Sequence, residues 1–141
     1  MTTADVAVVE AIEQQFPSPW TKAQISAELE RNSGISLVAE KDENVLVGWC
    51  CGMVFPPETE LLKIAVLRDS QRLGVATSLL HRFLQIVEAS GVEQIFLELR
   101  AANIPALQLY HRFGWRVQGT RKNYYTNPAD DAILLLRSLK Q

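Results

Sequence analysis

The junction across residues 61–90 constrains the fold more than any other stretch of the chain. An apolar run, Leu61 to Leu67, leads into Gln71-Arg72-Leu73-Gly74-Val75-Ala76. Beyond it Ala76, Leu79, Leu80, Phe83, Leu84 and Val87 recur at helical spacing. The first run reads as a buried strand and the last as an amphipathic helix with one apolar stripe. A short polar loop with a glycine at the mouth of a helix leaves backbone N–H groups without partners. The helix dipole adds positive potential there, which makes a seat for phosphate oxygens. The chain is therefore expected to hold a phosphorylated cofactor through Arg72, Leu73, Gly74, Val75, Ala76 and Thr77. An ordinary strand–helix turn would carry the same local sequence.

The elements around this junction follow from periodicity and punctuation. Asp5 to Phe16 carries Val6, Val9, Ile12 and Phe16 at helical spacing, and Pro17-Ser18-Pro19-Trp20 stops it. Thr21 is an N-cap for a second helix striped by Ile25 and Leu29, closed by Asn32-Ser33-Gly34. Ile35–Glu40, Val45–Phe55 and Leu61–Leu67 are strands joined by the polar turns Lys41-Asp42-Glu43-Asn44 and Pro56-Pro57-Glu58-Thr59, an antiparallel meander. After the helix over 75–90, Gly91 is a stop, and Gln94–Leu99 is the next strand. Asn103 caps a helix with Pro105 in its first turn and Ile104, Leu107 and Tyr110 on its inner stripe; Gly114 ends it. Trp115–Tyr125 and Asp131–Leu139 close the chain around a turn at Thr126-Asn127-Pro128. The order αα-βββ-α-β-α-ββ predicts an α/β (α+β) fold, a mixed and mostly antiparallel sheet with helices on both faces. No repeat or linker divides the chain, so residues 1–141 are expected to form a single domain.

Composition narrows the partners. With 48% hydrophobic and 21% charged residues the chain can build a proper core. A net charge of −2 argues against a role on nucleic acid or an anionic membrane, and leaves a basic peptide open as a partner. The N-terminus lacks a basic region with an apolar run, and no stretch approaches the about 20 apolar residues that span a bilayer. Cys50 and Cys51 are adjacent and would point to opposite faces of a strand, which disfavours a mutual disulfide. No spaced His/Cys cluster supports a metal site. The expected compartment is the reducing cytoplasm.

Two residues stand out chemically. Glu98 interrupts the apolar run Ile95-Phe96-Leu97-x-Leu99 and shares a strand face with Phe96, opposite Leu97 and Leu99. A carboxylate beside a sheet core needs a partner or a role. Two readings stand: a general base, or a solvent-facing Glu near a strand end that pairs with Arg100. Tyr110 is a phenol of ordinary pKa about 10, protonated at neutral pH and able to donate. Its place on a helical stripe suits core packing equally well. Cys50 and Cys51 lie mid-strand without a base and read as small buried hydrophobes, which disfavours an acyl-enzyme. His81 falls off the apolar stripe of its helix and reads as solvated, and neither it nor His111 is given a task.

The loop Gln71-Arg72-Leu73-Gly74-Val75-Ala76 resembles the Gln/Arg-x-x-Gly-x-Gly/Ala signature of the GNAT superfamily of N-acetyltransferases. More narrowly, the chain resembles the bacterial RimI group, whose members acetylate the N-terminal alanine of a ribosomal protein. Pro19-Trp20-Thr21, Ile64-Ala65-Val66, Leu97-Glu98-Leu99-Arg100-Ala101-Ala102-Asn103, Tyr110-His111-Arg112-Phe113-Gly114, and Arg121-Lys122-Asn123-Tyr124-Tyr125 with Asp131-Ala132-Ile133 carry the likeness across almost the whole chain. The second loop glycine is Ala76 here. The family fold opens with a strand before its first helix, and this chain begins almost at the helix, so the first strand is expected to be missing or truncated.

The resemblance implies acetyl-coenzyme A as cofactor, its pyrophosphate on the loop from Arg72 to Thr77. It further implies a splayed strand at Ile64, Ala65 and Val66 that frees backbone groups for the pantetheine and acetyl carbonyl, and a contact from Asn103. It implies Glu98 as general base, directly or through water, Tyr110 as general acid, and a protein N-terminus as acceptor, a ribosomal protein in the RimI case. Trp20, Tyr124 and Tyr125 would wall the acceptor groove, and aromatic edge packing is the alternative for them. A small-molecule amine acetyltransferase and a non-catalytic acyl-CoA-binding module are the competing readings. A nucleotide-binding domain is disfavoured by the lack of Gly-Lys-Ser/Thr after the loop.

Overall fold

Six strands form one mixed sheet in this computed structural model, which describes residues 1–139. After a 3₁₀ turn at Thr3–Asp5 come α1 (Val6–Glu13), α2 (Lys22–Glu30), β1 (Gly34–Glu40), β2 (Leu46–Phe55), β3 (Glu58–Val66), α3 (Val75–Ala89), β4 (Gln94–Arg100), α4 (Ile104–Arg112), β5 (Arg116–Thr126) and β6 (Ala129–Ser138). The expected order of helices and strands holds. The strand order is β1-β2-β3-β4-β6-β5. All neighbours pair antiparallel except β3 and β4, which run parallel. The first strand among the described residues is β1, at one edge of the sheet. The strand that the resemblance implied ahead of α1 is not among them.

Local chemistry sets the element ends. Thr21 and Gln24 form a reciprocal capping box on α2, with Gln24 N–H donating to Thr21 Oγ1 (3.2 Å) and Thr21 N–H to Gln24 Oε1 (2.8 Å). Asn103 Oδ1 accepts from Ala106 N–H (3.3 Å) at the start of α4. β3 begins at Glu58, earlier than the apolar run suggested, because the Pro56-Pro57 turn is tight and Glu58, Thr59 and Glu60 already pair with β2. One expected core position is corrected. Ile104 is 49% exposed, and it is Ala106, Leu107, Leu109 and Tyr110 of α4 that reach the core.

Each face of the sheet carries its own core. On one, Leu79, Leu80, Phe83, Leu84 and Val87 of α3 pack with Cys50, Leu61, Val66, Ile95, Leu97, Tyr110 and Trp115. On the other, Val6, Val9 and Ile12 of α1 and Ile25 of α2 pack with Trp49, Cys51 and Ala65. The adjacent cysteines therefore face opposite cores, as strand alternation requires. Gly52 lets α3 press close: a Cβ there would lie 2.6 Å from Phe83 Cε2 and 2.7 Å from the Glu60 carbonyl. No helix among the described residues is long and apolar enough to cross a membrane.

Candidate active site

The parallel pair β3–β4 is the irregularity on which the site is built. Its register covers only Glu58↔Gln94, Thr59↔Ile95 and Glu60↔Phe96. Beyond Glu60, β3 stays paired to β2 through Val66, while β4 stays paired to β6 through Arg100. The two strands therefore part, and the β4-facing edge of Leu61–Val66 has no strand partner. The opening is a groove of about 770 Å³. Ile64, Ala65 and Val66 line one wall; Leu97, Glu98, Leu99 and Arg100 line the other.

At one end of the groove lies the start of α3. Gly74 sits in the left-handed region (φ +81°) as its N-cap, and no side chain caps the helix. Arg72 is also left-handed (φ +65°). The first-turn N–H groups are thus turned toward open space in a concave loop, the arrangement that receives anionic oxygens. Arg72, Gly74, Val75, Ala76 and Thr77 line the groove, as does Asn103 opposite them. Leu73 does not: its side chain is 66% exposed and outside the groove lining. Arg112, in the last turn of α4, adds a further cation to the lining that sequence reading passed over. The loop and groove suit a long ligand with a phosphate-bearing end.

Glu98 and Tyr110 both line the groove, from opposite faces of the sheet. β4 alternates, with Ile95, Leu97 and Leu99 buried toward α3, so Glu98 shares the less buried face with Phe96. Its side chain is 25% exposed and pairs with Arg121 of β5 (3.7 Å), not with Arg100. Tyr110 is buried against Trp115, ring edge to ring at 5.5 Å. Burial pushes this phenol well above its ordinary value, so it stays protonated and able to donate at any working pH. The thiols are also driven up by burial, Cys50 to about 12 and Cys51 further, which leaves neither as a thiolate.

On the Glu98 face a smaller hollow of about 410 Å³ adjoins the groove, lined by Glu60, Phe96, Gln118 and Arg121 among others. Burial, then the charges of Glu98 and Glu28, raise the Glu60 carboxyl. Trp20 and Tyr125 line the main groove. Tyr124 does not; it is 49% exposed and packs its ring edge on Tyr125 at 5.1 Å. Behind Trp20 stands Glu13, fully buried, which sequence reading missed. Its carboxylate accepts from Trp20 N–H (2.9 Å) and Trp49 Nε1–H (2.9 Å), and Lys63 Nζ lies at 3.3 Å. The available signal was its position four residues after Val9, on the apolar stripe, where an acid demands an explanation.

The sequence profile of the Acetyltransferase (GNAT) family matches residues 6–115. The chain is 32% identical over 139 residues to the [Ribosomal protein bS18]-alanine N-acetyltransferase of Escherichia coli K12, covering 96% of this chain and 92% of that one. Among solved structures it is similar to the ribosomal-protein-S18-alanine N-acetyltransferase from Escherichia coli (TM-score 0.89, 27% identity, 100% of this chain and 92% of that one). The NatC complex bound to Gag peptide and CoA shares the fold, with a TM-score of 0.84 at 20% identity over 96% of this chain and 91% of that one.

Proposed function

This chain belongs to the GNAT acetyltransferase family, and from that premise we propose that it moves an acetyl group from acetyl-coenzyme A to the N-terminal α-amine of a protein, of the ribosomal-protein alanine type. One observation carries the reading: β3 and β4 separate after three paired positions, and the gap joins an uncapped helix start to Glu98 and Tyr110. The names of the E. coli relative and of the similar E. coli structure support the acceptor class. The CoA-bound structure of the same fold supports the donor. Residues 1–141 work as one domain in this account, in the cytoplasm; residues 140 and 141 lie outside those described.

The assignment of tasks follows position. The first turn of α3, from Gly74 to Thr77, with Arg72 and Arg112, would hold the pyrophosphate. The free edge of β3 at Ile64–Val66 would hold the pantetheine arm and offer backbone N–H groups where the acyl carbonyl gains charge. Acetyl-coenzyme A supplies the activated thioester. Glu98 takes the proton from the attacking amine, and its charge is balanced by Arg121. Tyr110, held neutral by burial, gives a proton to the departing sulfur. Trp20 and Tyr125 wall the acceptor side. No acyl-enzyme is needed, and the buried thiols of Cys50 and Cys51 do not supply one.

Thiol release from acetyl-coenzyme A, measured with an Ala-starting basic peptide and with spermidine, tests this reading. Turnover with the peptide and little with spermidine is expected. Turnover with spermidine alone would move the protein to the small-amine class, and binding of acetyl-coenzyme A without any release would make it an acyl-CoA-binding module.

A further inference from the structure

Arg100 ends β4, two residues past Glu98, and leaves that carboxylate to Arg121. Its own guanidinium goes elsewhere. One terminal nitrogen donates to the Pro128 carbonyl (2.7 Å). The other donates to the Ser18 hydroxyl and to the Asn127 carbonyl (3.3 Å). The guanidinium carbon lies 4.2 Å from the centroid of the Tyr125 ring. One side chain thus ties the end of β4 to two segments far from it in sequence: the loop between α1 and α2, and the β5–β6 hairpin.

Those two segments are the ones that present Trp20 and Tyr125 to the groove, and Ser18 and Arg100 line it with them. Trp20 has its own anchor from behind, through Glu13 and the edge of Trp49 at 5.7 Å. Tyr125 has the Arg100 guanidinium over its ring and the edge of Tyr124 beside it. A planar, forked cation can serve three oxygen acceptors on two segments and also lie against a ring; an ammonium offers the charge without the fork or the face. On the opposite side of the groove, the α3 start that would take the phosphates receives no contact from Arg100.

We propose that Arg100 is a positioning residue for the acceptor. By tying Ser18 to the β5–β6 hairpin and stacking on Tyr125, it sets the spacing between the Trp20 and Tyr125 walls, and so controls how well the acceptor is held while the donor side is untouched. The inference rests on the acetyl-transfer reading, with the acceptor on the Trp20/Tyr125 side of the groove.

Initial rates with donor and acceptor varied separately, on wild type, Arg100→Ala, Arg100→Lys and the milder Ser18→Ala, test it. Arg100→Ala should raise the acceptor KM by about tenfold, the value of one charge-assisted hydrogen bond, with the acetyl-coenzyme A KM unchanged and kcat lowered far less. Lys should recover little of this, and Ser18→Ala should shift the acceptor KM the same way by less. Were Arg100→Ala to fail to fold, the Ser18→Ala shift alone would decide. Equal rises in both KM values, a kcat loss with acceptor KM unmoved, or full recovery with Lys would overturn the inference. Wild-type turnover with unaltered variants removes this inference alone, whereas wild type inert toward every amine removes the acetyl-transfer reading with it.

Discussion

A carboxylate shut away from water is tolerated only when donors surround it, and Glu13 has three. Removing it strands Lys63 and the Trp49 indole, so Glu13→Ala should lower the unfolding free energy by about 3 kcal/mol, read from the denaturant midpoint. Glu98 and Tyr110 belong to another class, in which loss touches rate and not stability. Glu98→Gln and Tyr110→Phe should each lower kcat by about a hundredfold while calorimetry shows acetyl-coenzyme A binding kept. An undiminished rate in either variant would strip that residue of its task. Glu98 was legible in sequence because it breaks an apolar run, and alternation placed it on the Phe96 face. Its partner was not: Arg121 arrives from β5 by way of the β6 pairing, and the nearer Arg100 is drawn away by the hairpin carbonyls. Trp20 and Tyr125 were readable as walls, whereas Tyr124, next in the chain, points out because strand neighbours face opposite ways.

Elements fix where those residues can act. The turn into α3 depends on Gly74, whose φ of +81° strains any residue with a Cβ even though open space surrounds it. Gly74→Ala should cost about 1 kcal/mol and weaken acetyl-coenzyme A binding about tenfold, by calorimetry, through displaced first-turn amides. Gly52→Ala should instead reduce stability without a specific loss of binding, because its Cβ would drive into Phe83 and the Glu60 carbonyl. Helix caps and stripes were legible because they are local: Thr21, Asn103 and the α3 stripe all stand where spacing placed them. The splay of β3 from β4 was not legible in the apolar side chains of Ile64, Ala65 and Val66. It is a pairing left unmade, and it arises because β2 and β6 hold the two strands in diverging directions.

Across the whole molecule, two cores lie on opposite faces of one sheet, and the groove opens within that sheet where β3 and β4 part. The same burial makes stability depend on pH. Cys50 ordinarily titrates near 9.0 and is pushed up to about 12 in the fold, with Cys51 and Tyr110 also raised. The unfolded chain therefore ionises first. Stability is fully present below about pH 9 and declines as pH rises, each thiol steepening the loss by about 1.4 kcal/mol per pH unit. Cys50→Ala should make that decline shallower in denaturant midpoints taken between about pH 8 and about pH 11. The order of elements was readable end to end from turns and periodicity, while the pocket they enclose emerged only from tertiary pairing. The measurement that bears most directly on the account is fragment mass spectrometry of a Lys-containing peptide beginning with Ala, incubated with the protein and acetyl-coenzyme A beside its N-terminally blocked form. The account predicts one acetyl group, on the α-amine of the free peptide, and none on the blocked one. Acetyl found on a lysine side chain, or on both peptides alike, would contradict it.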